Sequence, residues 1–309
     1  MKILPPLPAP HKLGALSRFG WHALRQAGVG MRGGAGVLLL ALLVVAALGA
    51  PWLASQNPYD LAQLDLMNAR VAAGALGADG QRFMLGTDGQ GRDMLSAILY
   101  GLRISLFVGT ASTALALLVG LPLGLLAGYG KGAWGGLVMR IADLQLSFPP
   151  ILVALVLLAL GGPGAGRIVL ALATVQWAYY ARTIRGVALG ECAKDYMHAA
   201  AVLGLPHWRI LFRHLLPNCL PPIIVVATVQ MASAISLEAT LSFLGVGMPV
   251  TEPSLGLLIA NGFEYLLSGS YWISYFPGLA LLLLIVSIHL VADHVHDLFD
   301  PRARGQRGR

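Results

Sequence analysis

Charged side chains are scarce in this sequence of 309 residues. Only 11% of the residues are Asp, Glu, Lys or Arg, whereas 57% are hydrophobic. In an ordinary soluble domain roughly a quarter of the residues are charged. Cysteine occurs only at Cys192 and Cys219, so we expect no disulfide framework. The composition indicates an integral membrane protein rather than a soluble or secreted domain.

Motifs for several enzyme classes are also missing. A phosphate-binding loop needs G-x-x-x-x-G-K-[ST], but around Gly130-Lys131 the first glycine position holds Leu125 and the hydroxyl position holds Gly132. Neither Gly-x-Ser-Gly nor His-Glu-x-x-His occurs, which disfavours an intramembrane protease. No internal symmetry of the kind seen in ion-driven carriers is evident. We expect no ATP hydrolysis and no metal binding by this chain itself.

Long apolar runs of about 18 or more residues predict helices that cross a bilayer. The fold class expected is all-α integral membrane with six transmembrane helices. The predicted spans are residues 35–53, 102–128, 141–160, 168–181, 222–247 and 275–292.

Lysine and arginine are distributed unevenly around these spans. With the N-terminus inside, 16 of the 21 basic residues fall on the cytoplasmic side, which is the positive-inside pattern. Both chain ends are then cytoplasmic, and the second external segment has no Lys or Arg at all. The tail "PRARGQRGR" is read as a membrane-flanking anchor, so no nucleic-acid partner is expected. The predicted segments are a basic N-terminal arm (1–34), one membrane domain (35–301) and a basic tail (302–309). Within the membrane domain we expect external loops 54–101 and 248–274 and a cytoplasmic loop 182–221.

Glycines at helical spacing mark one face of the second span. Gly120, Gly124 and Gly128 lie at i, i+4 and i+8, and such stripes let helix backbones approach closely in a membrane. Packing within the chain or against a partner subunit would both use this face. In the third span, Pro149 and Pro150 predict a kink.

The stretch "YMHAAAVLGLPHWRILFRHLLPN" predicts a helix, a tight turn and a second helix. Asp195 is expected to cap a helix over residues 196–203, with Gly204 in the left-handed conformation after it. Pro206 suits the first turn of the next helix, and Pro217 is expected to block that helix after residue 216. An amphipathic loop resting on lipid headgroups is the alternative interpretation.

Several motifs carry a resemblance to a known family. Ala199-Ala200, Gly204 and Leu216-Pro217 resemble the cytoplasmic "EAA" loop of permease subunits of binding-protein-dependent ABC importers. "GTDGQGRDMLSAILYGLRISL", "RIADLQLSFPPIL", "RHLLPN" and "LEATLSFLGVG" extend the resemblance over residues 35–301 to the second permease of dipeptide and oligopeptide importers. The sequence departs from the family at His198, where Glu is usual, and at His214, where Ile is frequent.

The resemblance implies a transport subunit in a bacterial inner membrane that docks on ATPase partners. It implies a homologous second permease, two cytoplasmic ATPase subunits that bind ATP and Mg²⁺, and an extracytoplasmic solute-binding protein, with no cofactor on this chain. Di- or oligopeptides are the expected cargo, with nickel or glutathione as alternatives. The implied coupling residues are Tyr196, His198, Ala199, Ala200, Gly204, Arg209 and Pro217.

Glu238 is an ionisable residue inside the fifth predicted span. A charge there costs about 2.5 to 3.5 kcal/mol on insertion scales. It is expected to face the bundle interior, either as a pathway residue or in a buried structural hydrogen bond.

Overall fold

A computed structural model describes residues 33–78, 80–130, 132–252 and 254–299 of the chain. Within these ranges the regular structure is helical, and β-pairing is limited to two isolated bridges. Most of the predicted N-terminal arm, and the whole predicted tail, lie outside the described residues.

The helices follow one another with short connections, except for a longer segment between the second and third. A π-helical segment, Ile210–Leu215, joins the eighth helix to the ninth. In chain order the helices are α1 (Gly33–Leu48), α2 (Ala50–Leu53), α3 (Met94–Tyr129), α4 (Ala133–Leu146), α5 (Pro150–Gly161), α6 (Ala165–Cys192), α7 (Asp195–Val202), α8 (His207–Arg209), α9 (Leu216–Phe243), α10 (Leu255–Phe263) and α11 (Trp272–Phe299).

Three of these helical units are long and apolar enough to cross a membrane. They are α3, the continuous run His207–Phe243 that ends in α9, and α11. The bent pair of α4 and α5 makes a fourth candidate if it is counted as one span. Among the described residues, α1 is apolar but shorter, and α6 carries more polar residues than the other long helices.

Several helices extend further than the sequence predicted. α3 begins at Met94, inside the predicted external loop 54–101, because Asp93 caps it and accepts a hydrogen bond from the Ser96 amide. α6 runs through Cys192, so the predicted fourth span of residues 168–181 covers only half of it, towards its N-terminal end. The predicted loops 182–221 and 248–274 are correspondingly helical over much of their length.

The third predicted span is not a continuous helix. α4 and α5 meet at an angle of 88°, which is a sharp corner rather than the kink expected from Pro149 and Pro150. Pro149 sits in an extended conformation just before α5, and Pro150 occupies its first turn. Neither proline has an amide hydrogen to donate, and a residue before proline avoids the helical region, so the chain turns here.

α3 and α6 form the closest helix pair, and the glycine stripe lies between them. A methyl group on Gly124 would stand 2.6 Å from the Ala181 carbonyl oxygen, and one on Gly120 would stand 2.7 Å from the Trp177 carbonyl oxygen. Close backbone approach at small residues is a common means of helix association in membranes. The stripe therefore serves packing within this chain, one of the two uses that the sequence allowed.

α9, α10 and α11 pack together at the end of the bundle where α3 begins. A methyl group on Gly256 of α10 would stand 2.2 Å from the Ala239 carbonyl oxygen of α9, and one on Gly262 would stand 2.5 Å from the Ser274 amide nitrogen of α11. The short helix α10, which the sequence did not predict, is therefore wedged between two long ones. With 36 residues, α3 is about 54 Å long, so this end lies far from α7.

Replacing Gly124 by alanine should lower the stability of the bundle. The added methyl group has no room against α6, and overpacking typically costs about 1 to 3 kcal/mol. Gly186→Ala is the matched control, since a methyl group on this α6 glycine meets nothing within 4 Å. Thermal unfolding in detergent should show a lower midpoint for Gly124→Ala alone; equal midpoints for the two variants would contradict this packing.

Candidate coupling site

α7 begins one residue earlier than the sequence predicted. Asp195 is its first residue and Lys194 precedes it in an extended conformation, without a side-chain cap. The expectation that Asp195 caps the helix is therefore wrong. Its carboxylate instead stands in the first turn, where a negative charge interacts favourably with the helix dipole.

The turn after α7 is closed by two backbone hydrogen bonds. The Leu205 amide donates to the Ala200 carbonyl at 3.3 Å, and the Gly204 amide donates to the Ala201 carbonyl at 3.0 Å. These two bonds define a Schellman motif, which needs a left-handed residue after the cap. Gly204 supplies it with φ of +70°, as the sequence predicted.

The chain after the turn does not stop at Pro217. α8 follows Pro206, the π-helical segment follows α8, and α9 begins at Leu216. Pro217 then lies in the first turn of α9, a position at which proline is tolerated because the first amides of a helix have no partner within it. The predicted second helix and the fifth span are consequently one continuous helical run.

α7 has one face buried in its own bundle. Met197 and Ala200 are each 5% exposed and pack with residues of α6, the π-helical segment and α9. The resemblance implied that both Ala199 and Ala200 are coupling residues, but Ala200 is turned inward. Of this pair, only Ala199 is exposed.

The other face of α7 and the following turn carry bare apolar side chains. Val202 is 88% exposed and Leu203 is 77% exposed. Trp208 and Phe212, just past the turn, are also exposed. We call Val202, Leu203, Trp208 and Phe212 the elbow surface. Large exposed apolar groups of this kind mark a surface that contacts a partner protein or, as in the alternative interpretation, lipid.

Polar side chains around the elbow surface fix its two ends. Tyr196 donates a hydrogen bond of 2.8 Å to Glu191 on α6, and Lys194 forms an ion pair of 2.6 Å with the same carboxylate. Burial and the bond to Glu191 raise the pKa of Tyr196 to about 12, so it stays a donor. The hydroxyl of Tyr129, the last residue of α3, lies 2.7 Å from Nδ1 of His207.

The remaining predicted coupling residues are at the surface. His198 and Arg209 are exposed, and Pro217 is exposed at the start of α9. Arg213 is exposed beside them. Arg209 and Arg213 therefore place positive charge beside the elbow surface, which suits a partner with acidic residues around its contact surface.

Glu238 is completely buried, far along α9 from the elbow. Its two carboxylate oxygens accept hydrogen bonds from Ser105 on α3 at 3.1 Å and from Ser242 at 2.8 Å. The bond from Ser105 connects α3 to α9, and the bond from Ser242 lies within α9. The sequence allowed two roles for Glu238, a pathway residue or a buried structural hydrogen bond. The geometry supports the second.

The segment between α2 and α3 contains a buried polar network that the sequence did not predict. Arg92 is fully buried, and its Nη2 donates to the Val250 carbonyl at 3.1 Å. Asp88 accepts bonds from the Gln90 and Arg92 amides. Burial raises the pKa of Asp88 and lowers that of Arg92. No local pattern in "GTDGQGRD" shows that Arg92 bridges to the segment after α9.

Comparison with known proteins places this arrangement in a family. The family model for "Binding-protein-dependent transport system inner membrane component" matches residues 120–305. The chain belongs to this family. Di/tripeptide transport system permease protein DppC of Pseudomonas aeruginosa is 37% identical over 87% of this chain and 88% of its own length. The dipeptide permease DppC of Escherichia coli is 35% identical over 96% of both chains, and the probable D,D-dipeptide permease DdpC of that organism is 35% identical over 87% of both.

Solved structures add a likeness of fold. An inward-facing structure of the MetNI methionine ABC transporter superposes on this permease with a TM-score of 0.56 at 18% identity. The superposition covers 66% of this chain and 97% of the other. At this identity the likeness concerns the helical arrangement alone.

The turn after α7 should depend on the left-handed backbone conformation of residue 204 and not on the space available for its side chain. A methyl group there meets nothing within 4 Å, so Gly204→Asn should be tolerated because asparagine readily adopts this conformation. Gly204→Val should cost about 1 to 2 kcal/mol or more and open the Schellman motif. Hydrogen exchange of the Leu205 amide should be faster in the valine variant only; equal rates in the two variants would contradict this interpretation.

Proposed function

We propose that this chain is the permease subunit of an ATP-driven importer of small peptides, with α7 as the helix through which ATPase subunits move it. The observation that carries the proposal is the two-sided character of α7. Met197 and Ala200 fix one side to the bundle, whereas Val202 and Leu203 leave the other side bare. A helix that transmits force needs a rigid attachment behind it and a free surface in front.

The proposed topology has six spans with both chain ends in the cytoplasm. They are α1, α3, the α4–α5 pair, α6, the run ending in α9, and α11. α6 has 28 residues and is therefore about 42 Å long. Its low hydropathy is compatible with a span because α3, α4, α5 and α9 all pack around it, so little of it needs to face lipid.

The proposed complex contains four further chains. Two cytoplasmic ATPase subunits would bind ATP and Mg²⁺, one of them receiving the elbow surface in a cleft. A homologous second permease would complete the pathway, and an extracytoplasmic binding protein would deliver the peptide. The names of the DppC and DdpC relatives support peptides as cargo and the cytoplasmic membrane of a bacterium as the location.

Closure of the ATPase pair would pull the elbow surface and displace the bundle behind it. Because α7 packs on α6 and on the π-helical segment that continues into α9, and Tyr129 contacts His207, the displacement would reach three long helices at once. Switching between packed arrangements of rigid helices is the usual way that such motions cross a protein.

Cysteine crosslinking at two adjacent residues tests the docking directly. In a chain carrying Cys192→Ser and Cys219→Ala, Ala199→Cys should crosslink to a cysteine in the ATPase cleft, with a yield that changes when nucleotide is trapped. Ala200→Cys is the matched control and should not crosslink, since that position is buried. An assembled complex in which Ala199→Cys forms no crosslink, or in which both positions crosslink equally, would contradict the proposal.

A further inference from the structure

A cavity of about 590 Å³ opens beside the outer end of α3. Its wall combines opposite charges with apolar side chains. Arg103 of α3 and Glu252 of the segment after α9 line it together with Tyr59 of the outer segment, and Ile104, Phe107 and Met248 supply the apolar part. This volume lies within the usual range of small-molecule sites, roughly 300 to 1,000 Å³.

The two charged residues have no ion partner within the described residues. Neither Arg103 nor Glu252 forms an ion pair or a side-chain hydrogen bond there, and they are not within ion-pair distance of each other. Both side chains are exposed, and the charges of both act on the Tyr59 hydroxyl. Burial raises the pKa of Tyr59, Glu252 raises it further, and Arg103 lowers it. One cavity therefore presents a free cation and a free anion.

The wall that carries Glu252 is held in place by the buried network of the outer segment. Arg92 binds the Val250 carbonyl, and the Glu252 amide donates to the Pro249 carbonyl at 2.9 Å. On the opposite side, the Gly164 amide donates to the Gly247 carbonyl at 3.1 Å, next to the buried Met248. The backbone at Glu252 is thus held by the fold, which limits where its carboxylate can lie and so lowers the cost of ordering the site.

We propose that this cavity is a receiving site for a short zwitterionic peptide at the outer mouth of the permease. The guanidinium of Arg103 would bind the peptide carboxylate, and Glu252 would accept hydrogen bonds from the terminal ammonium group. Phe107, Ile104 and Met248 would contact the peptide side chains. A zwitterion fits because it satisfies both charges at once, whereas an ion of one sign would leave the other charge without a partner. The inference rests on the proposed function and adds a substrate contact made by this chain.

Uptake of matched peptides tests the contributions of Arg103 and Glu252 separately. The probes are dialanine with free ends, dialanine amide and N-acetyldialanine, each delivered by the same binding protein to the complete complex. For each peptide, uptake by a variant is divided by uptake by the unsubstituted complex, so the preference of the binding protein cancels. Arg103→Gln should reduce this ratio about tenfold for the two peptides with a free carboxylate and little for the amide.

Glu252→Gln should give the complementary pattern. Its ratio should fall about tenfold for the two peptides with a free ammonium group and little for N-acetyldialanine. Arg82→Gln and Glu264→Gln are charge-matched controls in the outer segments, outside the cavity lining, and should leave all ratios near one.

A second readout reports occupancy without transport. Thr251 also lines the cavity, so an impermeant maleimide should label Thr251→Cys, and dialanine should slow the labelling in the unsubstituted background more than with Arg103→Gln. Equal losses for all three peptides in both variants would overturn the receiving site and indicate a structural or docking role. Ratios near one throughout, with no protection of Thr251→Cys, would overturn it too. If the assembled unsubstituted complex takes up none of the peptides, the proposed function itself fails.

Discussion

Met197 and Ala200 attach α7 to the bundle, and the proposed transmission of force to the long helices depends on that contact. Both are buried in one apolar cluster with Ile184 of α6, Leu215 of the π-helical segment and Ile223 of α9. A helix of eight residues is marginal by itself in water, so this packing is what makes α7 a stiff element. Because the cluster joins two long helices, a force on the elbow surface cannot move α7 alone.

The two ends of the bundle are built on different chemistry. The elbow end is apolar and exposed, with tyrosines and cations at its edges, which suits a reversible protein contact. At the opposite end, buried polar groups tie the segment before α3 to the segment after α9 through Arg92 and Val250. Glu238 and its serine partners connect α3 to α9 just inside that end. The helices between them are therefore fastened at both ends.

Sequence reasoning was sufficient for features that depend on local chemistry. Apolar runs located the long helices, and Gly204 with its left-handed φ was predicted because few other residues adopt that conformation. The glycine stripe on α3 indicated close packing, although its partner, α6, could not be inferred. What failed were boundaries and breaks set by tertiary contacts. Pro217 was expected to stop a helix, but the π-helical segment before it lets the helical run continue, and the corner at Pro149 is far sharper than a proline kink.

In the candidate coupling site, too, some positions could be predicted from the local sequence, whereas others depend on tertiary packing. The exposed positions Ala199 and Arg209 follow from the motif, but the inward orientation of Ala200 depends on how α7 is rotated against α6 and α9. Helix rotation is fixed by packing, which a periodic pattern in eight residues leaves undetermined. The cavity at Arg103 and Glu252 unites residues 149 positions apart in the chain, and no local pattern connects them.

We expect α7 and the adjacent part of α9 to move as one body. The most direct test is the distance between spin labels at Val202→Cys and Leu220→Cys, both exposed, in a chain with the native cysteines replaced and assembled with its ATPases. The account predicts that this distance changes by no more than about 2 Å between the nucleotide-free and ATP-trapped states. A change several times larger would show that α7 swings free of the bundle, and would contradict the account.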